Sequence, residues 1–142
     1  MGDFRTDRTR YPTHGAYVKT ARDRIQKTAS DWGIPKSVVD DLALITSELV
    51  TNAVLHVSPA SSREIGVTLY LSPSLVRLEV RDSSYETPVV RQATQEEQNG
   101  RGLLLVSLLA NRWGSREQVV GKTVFAEIDL KPSQLLVTCP HD

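Results

Sequence analysis

The spacing of apolar residues changes its period near the middle of the chain, and this change constrains the fold more than any other feature. In two segments between residues 14 and 57, apolar residues recur every three or four positions, as on one face of an amphipathic helix. Between residues 65 and 80 they alternate with other residues, as in strands with one buried face. Helices followed by paired strands predict an α+β fold, a two-layer sandwich in which helices cover one face of a mostly antiparallel sheet.

The same patterns locate the individual elements and the domain boundaries. The predicted elements, in chain order, are a helix over residues 14–32, a helix over 37–56, strands over 65–71 and 76–81, a helix over 100–110, and strands over 113–120 and 123–130. We interpret residues 1–13 as an N-terminal arm or an edge strand, 14–130 as the domain, and 131–142 as a tail. Residues 83–99 lack any apolar pattern, which is typical of a functional lid or of disorder.

The composition excludes several classes of function. The 142 residues contain 17 Lys and Arg against 17 Asp and Glu, a balance that argues against binding nucleic acid through a strong basic field. Cys139 is the single cysteine, which excludes an internal disulfide framework and a multi-cysteine zinc site. No apolar run reaches the ~18 residues of a membrane span, and the N-terminus does not resemble a signal peptide. We therefore expect one cytoplasmic domain that contacts neither nucleic acid nor a membrane.

Three polar residues share one edge of the second predicted helix. At about 100° per residue, Asp41, Glu48 and Asn52 lie within roughly 40° of one another, beside the apolar face. The oxygens of Glu48 and Asn52 would then point into the same space, where they suit Mg²⁺, which takes few protein ligands. Glu48 could instead orient or deprotonate a nucleophile. The alternative is an ordinary solvated helix edge.

Asp82 ends the second strand and continues the parity of its buried residues. It therefore points towards the core, where an unpaired carboxylate is unfavourable and requires a donor. An amino group of a ligand could provide that donor, and so could a backbone amide of the following turn.

The segment Gly100-Arg101-Gly102 precedes the apolar third helix. Glycines allow backbone amides to approach a phosphate closely, the helix N-terminus favours an anion, and Arg101 could add a charged contact. The alternative is a plain junction between a loop and a helix.

These three motifs, in this order, resemble those of the GHKL ATPase superfamily, the ATP-binding fold of histidine kinases and DNA gyrase. The matching segments are Glu48-Leu-Val-Thr-Asn52-Ala-Val-Leu-His56, Val80-Arg-Asp82 and Gly100-Arg101-Gly102-Leu-Leu-Leu-Val. The resemblance spans roughly residues 16–130. It is strongest to the small, stand-alone branch of bacterial anti-sigma factor serine/threonine kinases and related actinobacterial ATP-binding regulators.

The resemblance implies a role for each of these residues. Asn52 would coordinate the Mg²⁺ that bridges the ATP phosphates, and Glu48 would be the general base. Asp82 would accept a hydrogen bond from the adenine amino group. Gly100 and Gly102 would line the phosphates, with Arg101 near them, and residues 83–99 would be the ATP lid.

One departure from the family pattern concerns the residues after Asp82. The motif is usually Asp-x-Gly-x-Gly, and here Ser84 stands where the first glycine is expected. Ser84 lacks the freedom of glycine at positive φ, although its hydroxyl could form a hydrogen bond in the adenine pocket. ATP binding is therefore a firmer expectation than phosphoryl transfer.

Two hypotheses about function remain open at this point. In the first, the chain is an ATP- and Mg²⁺-dependent protein kinase that holds a sigma factor and phosphorylates its STAS-type anti-anti-sigma antagonist. In the second, it is a non-catalytic module whose interface responds to bound nucleotide. The resemblance also allows a homodimer, since relatives pair through the exposed sheet or the first helix region.

Overall fold

The computed structural model of the protein describes residues 4–55, 64–82, 102–117 and 121–131. In chain order its elements are β1 (Arg5–Pro12), α1 (Tyr17–Asp31), α2 (Lys36–Leu55), β2 (Glu64–Leu71), β3 (Leu75–Asp82), α3 (Gly102–Leu109), β4 (Arg112–Glu117) and β5 (Lys122–Asp129). Over these ranges the chain is an α+β fold with one five-stranded sheet, which confirms the predicted fold class.

The strand order is β1-β2-β3-β5-β4, and every neighbouring pair is antiparallel. Of the two interpretations of the N-terminal residues, the structure shows the edge strand: β1 pairs with β2 along its whole length. Asp7 fastens this strand to the helical layer, because Arg24 of α1 donates hydrogen bonds of 2.7 and 3.2 Å to its carboxylate. Charged residues interrupt the apolar alternation of β1, which is why the pattern did not identify it as a strand. Such residues are typical of protected sheet edges.

The helices cover one face of the sheet, as the change of period predicts. Inward residues of adjacent strands stand in register, for example Leu69 opposite Leu78 and Leu78 opposite Ala126, and all three are buried. The α1 and α2 helices pack on each other, and α2 lies on β3 and β5. Both helices turn their periodic apolar residues into this single core, whose members include Ile25, Leu42, Ile45, Leu49, Val50, Val67, Val76, Val80 and Val106.

Two glycines with positive φ mark the ends of elements. Gly33 has φ 81° directly after α1, and its amide donates to the Ser30 carbonyl at 3.0 Å, which confirms the predicted helix stop. Gly121 has φ 84°, and Lys122 already belongs to β5. The prediction that β5 begins at Thr123, with Lys122 in the preceding turn, was wrong by one residue, because Lys122 already pairs with Asp82 and with Glu117 in the strand ladder.

The face of the sheet away from the helices carries charged side chains in an ion-pair network. Arg77 donates to Glu79 and to Glu127, each at 2.7 Å. Arg112 donates to Glu127 at 2.7 Å and also bonds to Asp129. The hydrogen bond from Arg112, helped by the one from Arg77, holds the pKa of Glu127 below its usual range. In this part of the face, two guanidinium groups are therefore paired with three carboxylates.

Across the described residues, no helix is both long enough and apolar enough to cross a membrane.

Candidate functional site

The polar edge predicted on α2 is present. Asp41, Glu48 and Asn52 are all half-buried, whereas their neighbours Leu49 and Ala53 are buried. Burial raises the pKa of Asp41, and the nearby charge of Asp40 adds to the rise. A helix of 20 residues anchored by its apolar face holds these side chains at fixed positions along the sheet.

Asp82 points to the helical side of the sheet, as its parity predicts, and only 3 % of it is exposed. Its register partners are Ile65 on β2 and Lys122 on β5. Lys122 is itself 8 % exposed, so two residues of opposite charge are buried side by side at this end of the sheet.

A recess between α2 and the sheet brings Asn52 and Asp82 together. Its walls combine these two polar side chains with Lys122 and with apolar groups, the lining among the described residues being Leu49, Asn52, Ala53, Val80, Asp82, Lys122 and Val124. The recess thus contains a carboxylate acceptor, an amide, a cationic side chain and aliphatic walls. The volume of the recess is about 10 Å³, so it brings together groups that could contact an amino-bearing apolar ring but is not itself large enough to enclose one.

Glu48 stands one helical turn before Asn52 but does not line the recess. A role for Glu48 would therefore concern a group beyond the recess, along the same edge of α2.

The remaining predicted site residues are only partly described. Ser84, Gly100, Arg101, the lid of residues 83–99 and His56 lie outside the described residues. Gly102 is the first residue of α3, so the helix begins at the end of the Gly100-Arg101-Gly102 segment. The third helix was predicted from residue 100, and its described part begins at Gly102.

Sequence reasoning missed Lys122 as a member of the site. It was assigned to a turn, although the inward parity of Val124, Ala126 and Ile128 extends back to position 122. Parity was therefore the signal that could have identified it.

Asn52 is the described residue that suits Mg²⁺. Its carboxamide oxygen is a hard donor at the rim of the recess, and Mg²⁺ takes one or two protein ligands and completes its shell with water and phosphate oxygens. Within the described ranges, no group of three or more His, Cys, Asp and Glu side chains is arranged around a common centre.

Comparison with known proteins gives one match. The family model described as the histidine kinase-like ATPase domain matches residues 11–127, which includes the recess and most of the sheet. A comparison with curated proteins found no match.

Proposed function

Because this chain belongs to the histidine kinase-like ATPase family, we propose that it binds ATP with Mg²⁺ and acts as a protein serine/threonine kinase in a partner-switching system. Domains of this family bind ATP, generally with Mg²⁺. The observation that carries the proposal is the buried carboxylate of Asp82, which shares a recess with Asn52.

Adenine recognition is assigned to Asp82. Asp82 is only 3 % exposed, and in this proposal its carboxylate accepts a hydrogen bond from the exocyclic amino group of adenine. Guanine presents a carbonyl oxygen at the corresponding position, which the carboxylate would repel. The aliphatic residues Leu49, Val80 and Val124 supply walls for the ring.

Phosphate and metal binding are assigned to Asn52 on α2 and to the Gly100-Arg101-Gly102 segment before α3. Asn52 would supply the protein oxygen to Mg²⁺, while Gly100, Arg101 and Gly102 would hold the phosphates at the start of α3. A Mg²⁺ held there would supply positive charge against the phosphates, which would otherwise repel the electron-rich oxygen of an incoming hydroxyl.

Glu48 is assigned as the general base. It would accept the proton of a serine or threonine hydroxyl while that oxygen bonds to the γ-phosphorus and ADP leaves. Its position one turn before Asn52, half-buried on the same edge of α2, supports this role.

The partners follow from the anti-sigma factor branch that the sequence resembles. In this proposal the protein holds a sigma factor, and it phosphorylates a STAS-type anti-anti-sigma factor and so releases it. A homodimer belongs to the same proposal.

Phosphoryl transfer to a purified STAS-type antagonist tests the kinase assignment. Wild-type protein with Mg·ATP should transfer radioactive phosphate, and Glu48→Ala should lower the rate by about 100-fold or more while ATP binding persists. The control is Asp40→Ala, an exposed carboxylate on the same helix that is paired with Lys36 and should leave the rate unchanged. Equal rates in wild type and Glu48→Ala would remove Glu48 from the mechanism.

A second candidate function is a nucleotide-responsive binding module without catalysis. Ser84 in place of the usual glycine favours it, since serine lacks the freedom of glycine at positive φ. Phosphate on an antagonist that depends on Glu48 would exclude this candidate.

A further inference from the structure

The sheet face away from the helices contains a second candidate site, at the end opposite the ion-pair network. We propose that it docks an extended acidic segment of a partner protein. The site is a depression of about 340 Å³ around Gly66, with four arginines on its lining: Arg8, Arg10, Arg81 and Arg116. We call it the arginine trough. The proposal does not depend on nucleotide binding, because the trough lies on the sheet face away from the helices and the recess lies between α2 and the sheet; Asp82 also borders a smaller depression with Arg10, Gly66 and Arg81.

Strand register arranges three of these arginines in one row. Arg10 on β1 is level with Gly66, which is level with Arg81 on β3. Arg81 is level with Thr123, which is level with Arg116 on β4. At about 4.8 Å per strand, the row spans roughly 19 Å and alternates arginines with small residues. All five residues of this row line the depression, which therefore reaches from β1 to β4.

Two of the four trough arginines have no ion-pair partner among the described residues. Arg8 and Arg116 are exposed and form no ion pair within the described residues. Arg10 is 3.8 Å from Glu64, but their side chains are 79 % and 55 % exposed, so this pair is weak. Glu79 also lines the trough, yet its carboxylate already accepts from Arg77. A net positive potential therefore remains at this end of the face.

Gly66 in the centre of the trough has no structural explanation. Its φ is not positive, and a Cβ at this position would meet no atom within 4 Å. Glycine in the interior of a strand lowers stability, and β-branched residues are favoured there. A strand glycine without a conformational or packing role is typical of a place where another backbone approaches closely. Gly66 is thus a second argument for the docking of a partner segment, separate from the charge of the arginines.

The shape and charge favour an acidic protein segment. The guanidinium fork matches a carboxylate with two parallel hydrogen bonds. A row of roughly 19 Å accommodates about six extended residues at 3.3 Å each. The trough is only partly enclosed, so it would leave much of a small anion exposed, whereas small-ligand sites bury most of the ligand.

A second copy of this chain fits the trough less well. On the same face, Arg77 and Arg112 already engage Glu79, Glu127 and Asp129. A face-to-face copy would bring its own arginines towards the trough and few free carboxylates.

Fluorescence anisotropy with two labelled peptides tests the proposal on the full chain. One peptide repeats Glu-Ser three times, and the other repeats Gln-Ser three times. We expect the first to bind at low salt and to weaken several-fold when the ionic strength rises to about 0.3 M, and the second not to bind. Arg8→Gln/Arg116→Gln should weaken binding at least about fivefold. The matched control, Arg22→Gln/Lys27→Gln on α1, changes the net charge equally and should stay within about twofold of wild type.

Gly66→Thr separates docking from folding. The variant should keep or raise the melting temperature, because threonine is favoured in strands. Its side chain would fill part of the trough, so binding of the acidic peptide should weaken at least about fivefold. Unchanged peptide binding in Gly66→Thr or in the arginine pair would overturn the proposal, as would no binding of the acidic peptide to wild type. Tighter binding of an oligothymidine than of the peptide would identify a nucleic-acid surface instead. A dimer in sedimentation that Gly66→Thr dissociates would identify a self-interface. ATP titration of the same variants should match wild type, so this proposal and the proposed function can fail separately.

Discussion

Asp82 and Lys122 are register partners on β3 and β5, and both are buried on the helical side of the sheet. A hydrogen-bond acceptor and a donor are therefore buried at one end of the sheet, where little water reaches them. Electrostatic interactions with a ligand are stronger in such an environment than in water. Asn52 lines the same recess, so the pair faces α2, the helix that carries Glu48.

Replacing the Asp82 carboxylate by an amide should weaken ATP binding at nearly constant shape. Asp82→Asn puts a less basic, uncharged oxygen or an amide donor opposite the adenine amino group, and we expect at least a tenfold rise in the Kd for ATP by calorimetry. Asp40→Asn on the exposed side of α2 is the matched control and should bind like wild type. An unchanged Kd in Asp82→Asn would mean that this carboxylate does not read the base.

The same substitution should have opposite effects at two glycines. Gly33→Ala forces a side chain into φ 81° and should lower the free energy of unfolding by about 1 kcal/mol. Gly66→Ala adds a methyl group to open space in a strand and should leave stability equal or higher. Urea denaturation of both variants checks the pair. A loss of stability at Gly66 as large as that at Gly33 would show that Gly66 has a role in the fold, contrary to the trough proposal.

The ion-pair network should make stability depend on acidic pH. The hydrogen bond from Arg112 holds the pKa of Glu127 below its unfolded value of about 4.3, so its contribution is present above about pH 5 and is lost as the pH falls through the lowered folded pKa. Glu127→Gln should lower the free energy of unfolding at pH 7 by about 1 to 2 kcal/mol and flatten its decline between about pH 5 and pH 3. Glu64→Gln, an exposed acid on the same face, is the control. Parallel pH profiles for wild type and Glu127→Gln would contradict this account.

Periodicity predicted the parts of the fold whose apolar residues repeat. It placed α1, α2, β2 and β3 close to their observed bounds, and it turned Asp82 inward. It did not distinguish β1 from an arm, because an edge strand rich in Arg and Asp has little apolar alternation.

The hydrophobic pattern missed the part of the site that depends on the register between strands far apart in the sequence. Lys122 reaches the recess only because β5 pairs with β3 so that it stands opposite Asp82. The arginine trough arises in the same way, from positions 10, 81 and 116 on three strands that no local spacing relates. Local pattern indicates which face a residue takes, whereas strand order decides which residues meet there.

Calorimetric titration of ATP, with and without Mg²⁺, into wild type and Asn52→Ala tests the central claim most directly. We expect ATP to bind wild type at least about tenfold more tightly with Mg²⁺ than without it, and Asn52→Ala to lose this difference, because the metal loses its protein oxygen. Asn111→Ala is not a suitable control, since its carboxamide accepts a hydrogen bond from the Asp129 amide; Ser37→Ala on the exposed side of α2 is preferable. Failure of wild type to bind ATP at all, or an Asn52→Ala variant with the full Mg²⁺ effect, would contradict the account.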